Sequence, residues 1–239
     1  MMMEKKKDRR RPEEWAVYAA MFAMLAAAGL MAVKGTAVFV NNSHVERQRC
    51  IVIDAGHGGD DPGKVGINGA LEKDINLQIA QKVQKYLEYE GIQVVMTRTD
   101  GAGLYDSGAE NKKVQDMKRR IIMIEEAAPV MTVSIHQNSY PEEYVKGAQV
   151  FYYKDSAESQ EAAEIMQESL RERLDTENKR EAKANGSYYL LKKTSSPVII
   201  VECGFLSNSG EAAKLSEDDY QERVAWAVFM GIMRYLNGY

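Results

Sequence analysis

The chain has 239 residues, 45% of them hydrophobic and 28% charged, and its formal net charge at pH 7 is -4. This length suffices for one sizeable α/β domain or two small ones, and one domain is the simpler expectation. The composition is that of a globular protein and excludes a disordered or fibrous one. The small negative charge argues against a nucleic-acid-binding protein, which usually presents a basic face to phosphates.

The N-terminal segment predicts a membrane anchor. Residues 4–11, EKKKDRRR, carry six basic side chains, whereas residues 15–33, WAVYAAMFAMLAAAGLMAV, carry no charge. A helix of about 19 residues is about 28 Å long, close to the ~30 Å hydrocarbon core of a bilayer. The basic cluster favours a cytoplasmic N-terminus over residues 1–14, which sends the chain after Lys34 to the outer face.

Two alternatives to a retained anchor are open. A signal peptide could be cleaved after Ala37, because Gly35 and Ala37 are small residues at a suitable spacing, or the apolar run could be a soluble core helix. We favour a transmembrane signal-anchor over residues 15–33 because its apolar run exceeds a typical signal h-region. The protein is then membrane-anchored or secreted, with its main domain extracytoplasmic after a connector over residues 34–48.

From Cys50 onward, apolar runs of strand length alternate with longer segments of helical period. The predicted strands are 50–55, 93–98, 130–136, 148–153 and 198–203. The predicted helices are 71–89, a segment from about 112 to 128, 156–174 and 220–236. This order predicts a single α/β domain over residues 49–239, with a mixed, mostly parallel β-sheet flanked by helices.

The two cysteines are not expected to form a disulfide. Cys50 opens one predicted strand and Cys203 closes another, so in a parallel sheet they would lie at opposite ends, roughly 10 Å or more apart. A disulfide needs Cα atoms within about 7 Å. Two reduced, buried thiols are therefore predicted.

Two of the three histidines follow buried strands. His57 lies in IDAGHGG and His136 in SIHQNS, both at the carboxyl ends of strands, where open α/β sheets bind ligands. His44 lies in the connector. Either strand-end residue alone could be a core histidine, and the glycines around His57 could form a plain turn or an anion cradle. The shared placement favours a metal site or proton transfer.

Two carboxylates accompany these histidines. Glu72 lies in the first turn of a predicted helix, where an acid also interacts well with the helix dipole, so a ligand role is weak on this evidence alone. Glu202 ends a fully apolar strand, where a carboxylate is costly unless it is paired or binds a metal. Burial raises the pKa of such a carboxyl and suits it to proton transfer. Two imidazoles and one carboxylate would supply the three protein ligands that a catalytic zinc site needs.

The motifs IDAGHGGDDPG, LEKDINL, MTR, SIHQNS, GAQVFYY and VECGFLSN occur in this order between about Cys50 and Leu236. Together they resemble the zinc-dependent N-acetylmuramoyl-L-alanine amidase family (amidase type 3). The resemblance implies a twisted mixed sheet flanked by helices, Zn²⁺ held by His57, Glu72 and His136, and Glu202 as the catalytic carboxylate. It also implies hydrolysis of the amide between N-acetylmuramic acid and the L-alanine of the peptidoglycan stem peptide.

The short, membrane-anchored form without wall-binding repeats is most similar to the spore-cortex, germination-specific amidases of endospore-forming bacteria. That resemblance implies peptidoglycan as substrate and an activating lipoprotein as a partner. Arg98, Arg120 and Asn138 match recurrent polar positions of the family, which implies that they orient substrate or the groups around the ligands. The sequence departs from the common family pattern at Gln137 and at residues 121–127, IIMIEEA. Neither departure replaces a proposed ligand.

Two other functions are compatible with the same residues. A zinc peptidase would use the same metal and base to cut within the stem peptide. A non-catalytic, membrane-tethered wall-binding module would keep the fold alone, and the intact set of ligands with Glu202 argues against it.

Overall fold

The computed structural model describes residues 20–25, which are helical, and residues 49–238. The predicted segments 1–14 and 34–48, and most of the predicted anchor over residues 15–33, lie outside the described residues. Within the described residues, no helix has both the length and the apolar character needed to cross a bilayer.

Six strands form one sheet. They are β1 (Cys50–Ala55), β2 (Gln93–Met96), β3 (Met131–Asn138), β4 (Gln149–Tyr153), β5 (Lys183–Asn185) and β6 (Val198–Phe205). Their order across the sheet is β2-β1-β3-β6-β4-β5. Only β4 and β6 pair antiparallel, and all other neighbours are parallel. The predicted mixed, mostly parallel sheet is confirmed.

Six helices lie between and after the strands in the described domain. They are α1 (Glu72–Tyr89), α2 (Lys112–Ala127), α3 (Ala157–Leu174), α4 (Tyr189–Lys193), α5 (Ser209–Leu215) and α6 (Asp218–Asn237). The long helices match the sequence prediction to within a few residues. The sequence prediction lacked β5, α4 and α5, because elements of three to seven residues are too short to show a periodic pattern.

Local signals explain where the long helices begin and end. The Asn111 side chain accepts a hydrogen bond from the backbone N–H of Val114 at 3.0 Å and so caps the start of α2. Ala128 ends that helix in the left-handed conformation, with φ 42°, directly before Pro129. Ser156 caps α3 in the same way, through Ser159.

The sheet is buried on both faces. Ile53 packs with Ile79 and Val228 in the core under α1, α3 and α6. Its neighbour Val52 points the other way and packs with Ile124, in the core under α2 and α4. Two covered faces explain why the central strands are apolar at nearly every position rather than alternating.

Cys50 and Cys203 are both free and buried, in agreement with the prediction. Cys50 lies at the start of β1, opposite Gln93, and Cys203 lies near the end of β6. Neither thiol belongs to the functional cluster described below.

The parallel register aligns the carboxyl ends of three central strands. Ala55, the last residue of β1, lies beside Ile135 of β3, and the next residue, His136, lies beside Glu202 of β6. The polar residues that follow these buried strands are therefore gathered at one edge of the sheet.

Candidate metal centre and active site

His57, Glu72 and His136 form a compact cluster at this sheet edge. Each offers one ligand atom, and these atoms all lie within 4.8 Å of one another. Glu72 Oε1 is 3.2 Å from His57 Nε2 and 3.0 Å from His136 Nδ1. In a tetrahedral zinc site with bonds of about 2.1 Å, neighbouring ligand atoms are about 3.4 Å apart. The donor set and its spacing therefore fit a zinc ion.

Two glycines give the ligands room. A Cβ on Gly56 would lie 2.3 Å from the His136 ring, and a Cβ on Gly63 would lie 2.6 Å from Glu72 Oε2. Gly63 also has a positive φ of 66°, which a residue with a side chain adopts only with strain. The glycines of the IDAGHGGDDPG motif thus allow the close approach of backbone to ligand that the cluster needs.

Asp61 orients His57. The carboxylate oxygen Oδ2 of Asp61 lies 3.0 Å from His57 Nδ1, so a proton on Nδ1 leaves Nε2 free to act as a ligand. Asp61 is itself fixed by the backbone N–H of Gly63, which donates to Oδ1 at 3.0 Å. Burial alone would lower the pKa of His57, but the nearby carboxylates of Glu72 and Asp61 raise it to about 9. This site therefore attracts a cation.

The Glu72 carboxylate is held by several donors. The backbone N–H of Lys64 donates to Oε2 at 2.7 Å, and the backbone N–H of Gln137 donates to Oε1 at 3.0 Å. Asn76 adds a longer bond at 3.3 Å and receives one from the Gln137 side chain. Burial would raise the pKa of Glu72, but hydrogen bonds from both histidines outweigh it and keep the carboxyl ionised. Gln137 thus supports Glu72 directly through its backbone and indirectly through Asn76.

Two buried arginines hold the backbone that carries His57. His57 has a φ of 63°, which is unfavourable for a residue with a side chain. Arg120 donates to the carbonyls of His57 at 2.6 Å and Ala55 at 2.8 Å. Arg98 donates to the carbonyls of Ala55 at 2.9 Å and Gly56 at 3.0 Å. The two guanidinium groups therefore fix three consecutive carbonyls of this turn.

Arg120 is paired with a buried acid. Its Nη1 lies 2.6 Å from Asp54 Oδ1, and both side chains are 2% exposed. Ser134 and Thr97 also donate to Asp54. Burial by itself would raise the pKa of Asp54, but the Arg120 charge and these hydrogen bonds outweigh it and lower the pKa to about 2. Asp54 is therefore ionised at neutral pH and anchors the arginine that supports the His57 turn.

Glu202 lies beside the cluster with a free oxygen. It is 8% exposed, and its Oε2 is buried without a hydrogen-bond partner among the described residues. Burial raises the pKa of Glu202 to about 7. A carboxyl of this kind can accept and return a proton near neutral pH.

An open cavity of about 710 Å³ covers the cluster and Glu202. It lies between α2 and the residues around α4, and its lining includes Asp60, Tyr105, Lys112, Lys113, Met117, Tyr188, Tyr189 and Leu190. Asn138 does not line this cavity, and its side chain accepts a hydrogen bond from the backbone N–H of Ser139. Of the three weaker sequence candidates, Arg98 and Arg120 thus bind backbone carbonyls beside the site, whereas the Asn138 side chain bonds the residue that follows it.

The sequence reasoning missed Asp54, Asp61 and Asn76 as supporting residues. Asp61 stood within the quoted motif, four residues after His57, and a carboxylate at that distance from a ligand histidine was the available signal. Asp54 and Asn76 carried no comparable signal, since their roles depend on partners distant in sequence.

The site combines two imidazoles and a carboxylate at the carboxyl edge of the parallel strands with a further buried carboxylate in the same cavity. This is the residue set of a metallohydrolase. The sequence model of the N-acetylmuramoyl-L-alanine amidase family matches residues 51–234. The chain belongs to this family.

Similar proteins include amidases of known structure. The chain is 37% identical over 190 residues to the germination-specific N-acetylmuramoyl-L-alanine amidase of Bacillus subtilis, covering 78% of this chain and 79% of that protein. Its fold matches the CwlD amidase from Clostridioides difficile, solved in complex with the GerS lipoprotein, with a TM-score of 0.78 and 39% identity over 80% of this chain and 100% of that one. The amidase AmiC2 of Nostoc punctiforme matches with a TM-score of 0.67 and 34% identity, covering 80% and 98%.

The ion pair under the His57 turn gives a test of stability. Arg120→Met would leave the Asp54 charge buried without its partner, and we expect the free energy of unfolding to fall by about 3–5 kcal/mol. The neighbouring Arg119 pairs with the exposed Asp106, so Arg119→Met should cost less than about 1 kcal/mol. Urea unfolding of both variants at pH 7 measures the difference. Equal losses would show that the buried pair matters no more to stability than the exposed pair.

Proposed function

We propose that the chain is a zinc-dependent amidase that hydrolyses the amide between N-acetylmuramic acid and the L-alanine of the peptidoglycan stem peptide. One observation carries this proposal: the His57, Glu72 and His136 cluster and the Glu202 side chain line the same open cavity. Family membership supports the choice of bond, since the matching family and relatives are N-acetylmuramoyl-L-alanine amidases.

His57, Glu72 and His136 would hold the metal. A zinc ion bound by three protein ligands supplies a Lewis acid that polarises a carbonyl and lowers the pKa of water. Asp61 keeps His57 Nε2 available, and the Lys64 and Gln137 backbone N–H groups keep the Glu72 carboxylate in place. The ligands are thus oriented before the metal arrives.

Glu202 would move the proton. Its carboxylate, in the wall of the cavity, accepts the proton of the attacking water and then delivers it to the departing amine nitrogen of L-alanine. Because the carboxyl is 8% exposed, bulk water competes little for this role. Amide hydrolysis needs this second step because an unprotonated amine is a poor leaving group.

The metal site gives a test that does not depend on activity. Purified protein should contain about one zinc ion, and His57→Ala or His136→Ala should lose it, because two ligands are too few for a stable site. Asp61→Asn should weaken zinc binding about 10- to 100-fold through misorientation of His57. Asp60→Asn is the matched control, because the Asp60 side chain is 71% exposed and pairs with Lys112 rather than a ligand. Competition with a zinc chelator measures the affinities, and equal effects at the two positions would contradict the role of Asp61.

The catalytic carboxylate gives a test of the reaction. Glu202→Gln should lower kcat about 10²- to 10⁴-fold, because the amide cannot carry the proton, while zinc content stays unchanged. Glu90→Gln, on the exposed end of α1, should retain wild-type activity. Mass spectrometry of digested muropeptides identifies the bond.

The products separate the candidate functions. Stem peptides that begin with L-alanine, together with peptide-free glycan, are expected from an amidase. Cleavage within the stem peptide would instead show a zinc peptidase. Binding of peptidoglycan without cleavage, in zinc-loaded protein, would show a wall-binding module.

The proposal extends to spore cortex maturation, in which muramic lactam is formed. The support is the similarity to a germination-specific amidase and to an amidase solved with a lipoprotein, which also suggests a lipoprotein partner for this chain. The muramic lactam content of spores from a strain with Glu202→Gln tests this role, and a normal content would contradict it.

We also propose that the domain acts outside the cytoplasm, tethered by residues 15–33. The basic residues 4–11 and the uncharged run 15–33 support this placement, as does a substrate that lies in the cell wall. The full chain should stay in the membrane fraction after an alkaline carbonate wash, and removal of residues 1–33 should release it. A mature N-terminus just after Ala37 would show a cleaved signal instead.

A further inference from the structure

Tyr188 stands on the wall of the active-site cavity. It immediately precedes α4 and lines the cavity together with Glu202, the two histidines of the cluster, and Lys112 and Met117 of α2. None of the functions assigned above uses this residue.

The surrounding structure fixes the position of Tyr188. Its backbone N–H donates to Asn185 Oδ1 at 2.9 Å, and its carbonyl accepts from Lys192 N–H at 3.2 Å. Asn185 belongs to β5 and pairs with Tyr153 of β4, so the turn is tied to the sheet. The Tyr188 ring packs edge-on against Phe151, with the ring centroids 5.6 Å apart. A ligand that contacts this side chain therefore meets a group that is already ordered.

The hydroxyl of Tyr188 is available to a ligand. Within residues 49–238, the hydrogen bonds of Tyr188 are those of its backbone, and the residue is 38% exposed. Burial raises the pKa of Tyr188, and the charge of Glu202 raises it further. The phenol therefore stays protonated at neutral pH and lies within electrostatic range of the Glu202 carboxylate.

A hydrogen-bond donor and a carboxyl group thus line one cavity. The Tyr188 hydroxyl can donate a hydrogen bond, and the Glu202 carboxyl can accept one. A peptide presents the matching pair, with an N–H that donates and a carbonyl that accepts. If Glu202 serves the scissile nitrogen, the next acceptor along the leaving peptide is the L-alanine carbonyl, and the Tyr188 hydroxyl is a donor in the same cavity.

We propose that Tyr188 is a substrate-binding residue whose hydroxyl donates a hydrogen bond to the stem peptide at the L-alanine carbonyl, next to the scissile amide. This inference rests on the proposed amidase function. It assigns the α4 side of the cavity to the leaving peptide and makes the hydroxyl a determinant of peptide recognition.

The test compares two hydroxyl deletions. Tyr188→Phe keeps the ring and its packing on Phe151, and we expect kcat/KM for N-acetylmuramoyl-L-alanyl peptides to fall about 3- to 10-fold, as for one neutral hydrogen bond. Tyr144→Phe removes a hydroxyl from a side chain that is 80% exposed and does not line the cavity, and it should leave kcat/KM unchanged. Zinc content and thermal stability of Tyr188→Phe should equal those of the wild type.

A second measurement separates the peptide from the sugar. N-acetylmuramic acid, which has no peptide, should inhibit the wild type and Tyr188→Phe equally. A kcat/KM for Tyr188→Phe within twofold of the wild type would overturn the proposal, as would weaker inhibition by N-acetylmuramic acid, which would place the contact on the sugar. Absence of amide cleavage by the zinc-loaded wild type would instead refute the proposed function, so the two failures are distinguishable.

Discussion

The buried ion pair between Asp54 and Arg120 is the interaction on which the rest of the site depends. It joins the end of β1 to α2, and through Arg120 it fixes the carbonyls of Ala55 and His57. Without that support the left-handed backbone at His57 would relax, because such a conformation persists only where its surroundings determine it. A charged pair inside the domain contributes little net stability by itself. Its role here is to position His57, because it holds the strained backbone at that residue in place.

Two of the three candidate ligands, His57 and Glu72, are likewise supported from outside the cluster. The Asp61 carboxylate holds His57 through Nδ1, and backbone N–H groups fix the Glu72 carboxylate. Glu202 is the exception, because its Oε2 has no partner among the described residues. His57 and Glu72 thus have partners that hold them in place, whereas one oxygen of the group proposed to move a proton has none among the described residues. This division of roles follows from the different demands of holding a metal and of exchanging a proton.

Much of the fold could be predicted from the sequence because the long elements carry strong patterns. The strand-end positions of His57 and His136 followed from apolar runs and glycine turns alone. The ligand role of Glu72 did not, since an acid in a first helical turn has an ordinary explanation in the helix dipole, and only the family resemblance predicts that role. Residues 183–193 were missed because β5 and α4 are too short to show a period. The sequence patterns therefore did not predict the cavity wall that carries Tyr188.

The three candidate ligands come from segments distant in sequence, at positions 57, 72 and 136, and each is placed by a different element. An unfolded chain has no such constellation, so a metal that prefers this cluster binds the folded state almost exclusively. By mass action, occupancy then adds to the free energy of unfolding, by about 2.7 kcal/mol when the free metal is 100 times its Kd. Metal supply would in this way act on the lifetime of the folded domain as well as on its chemistry.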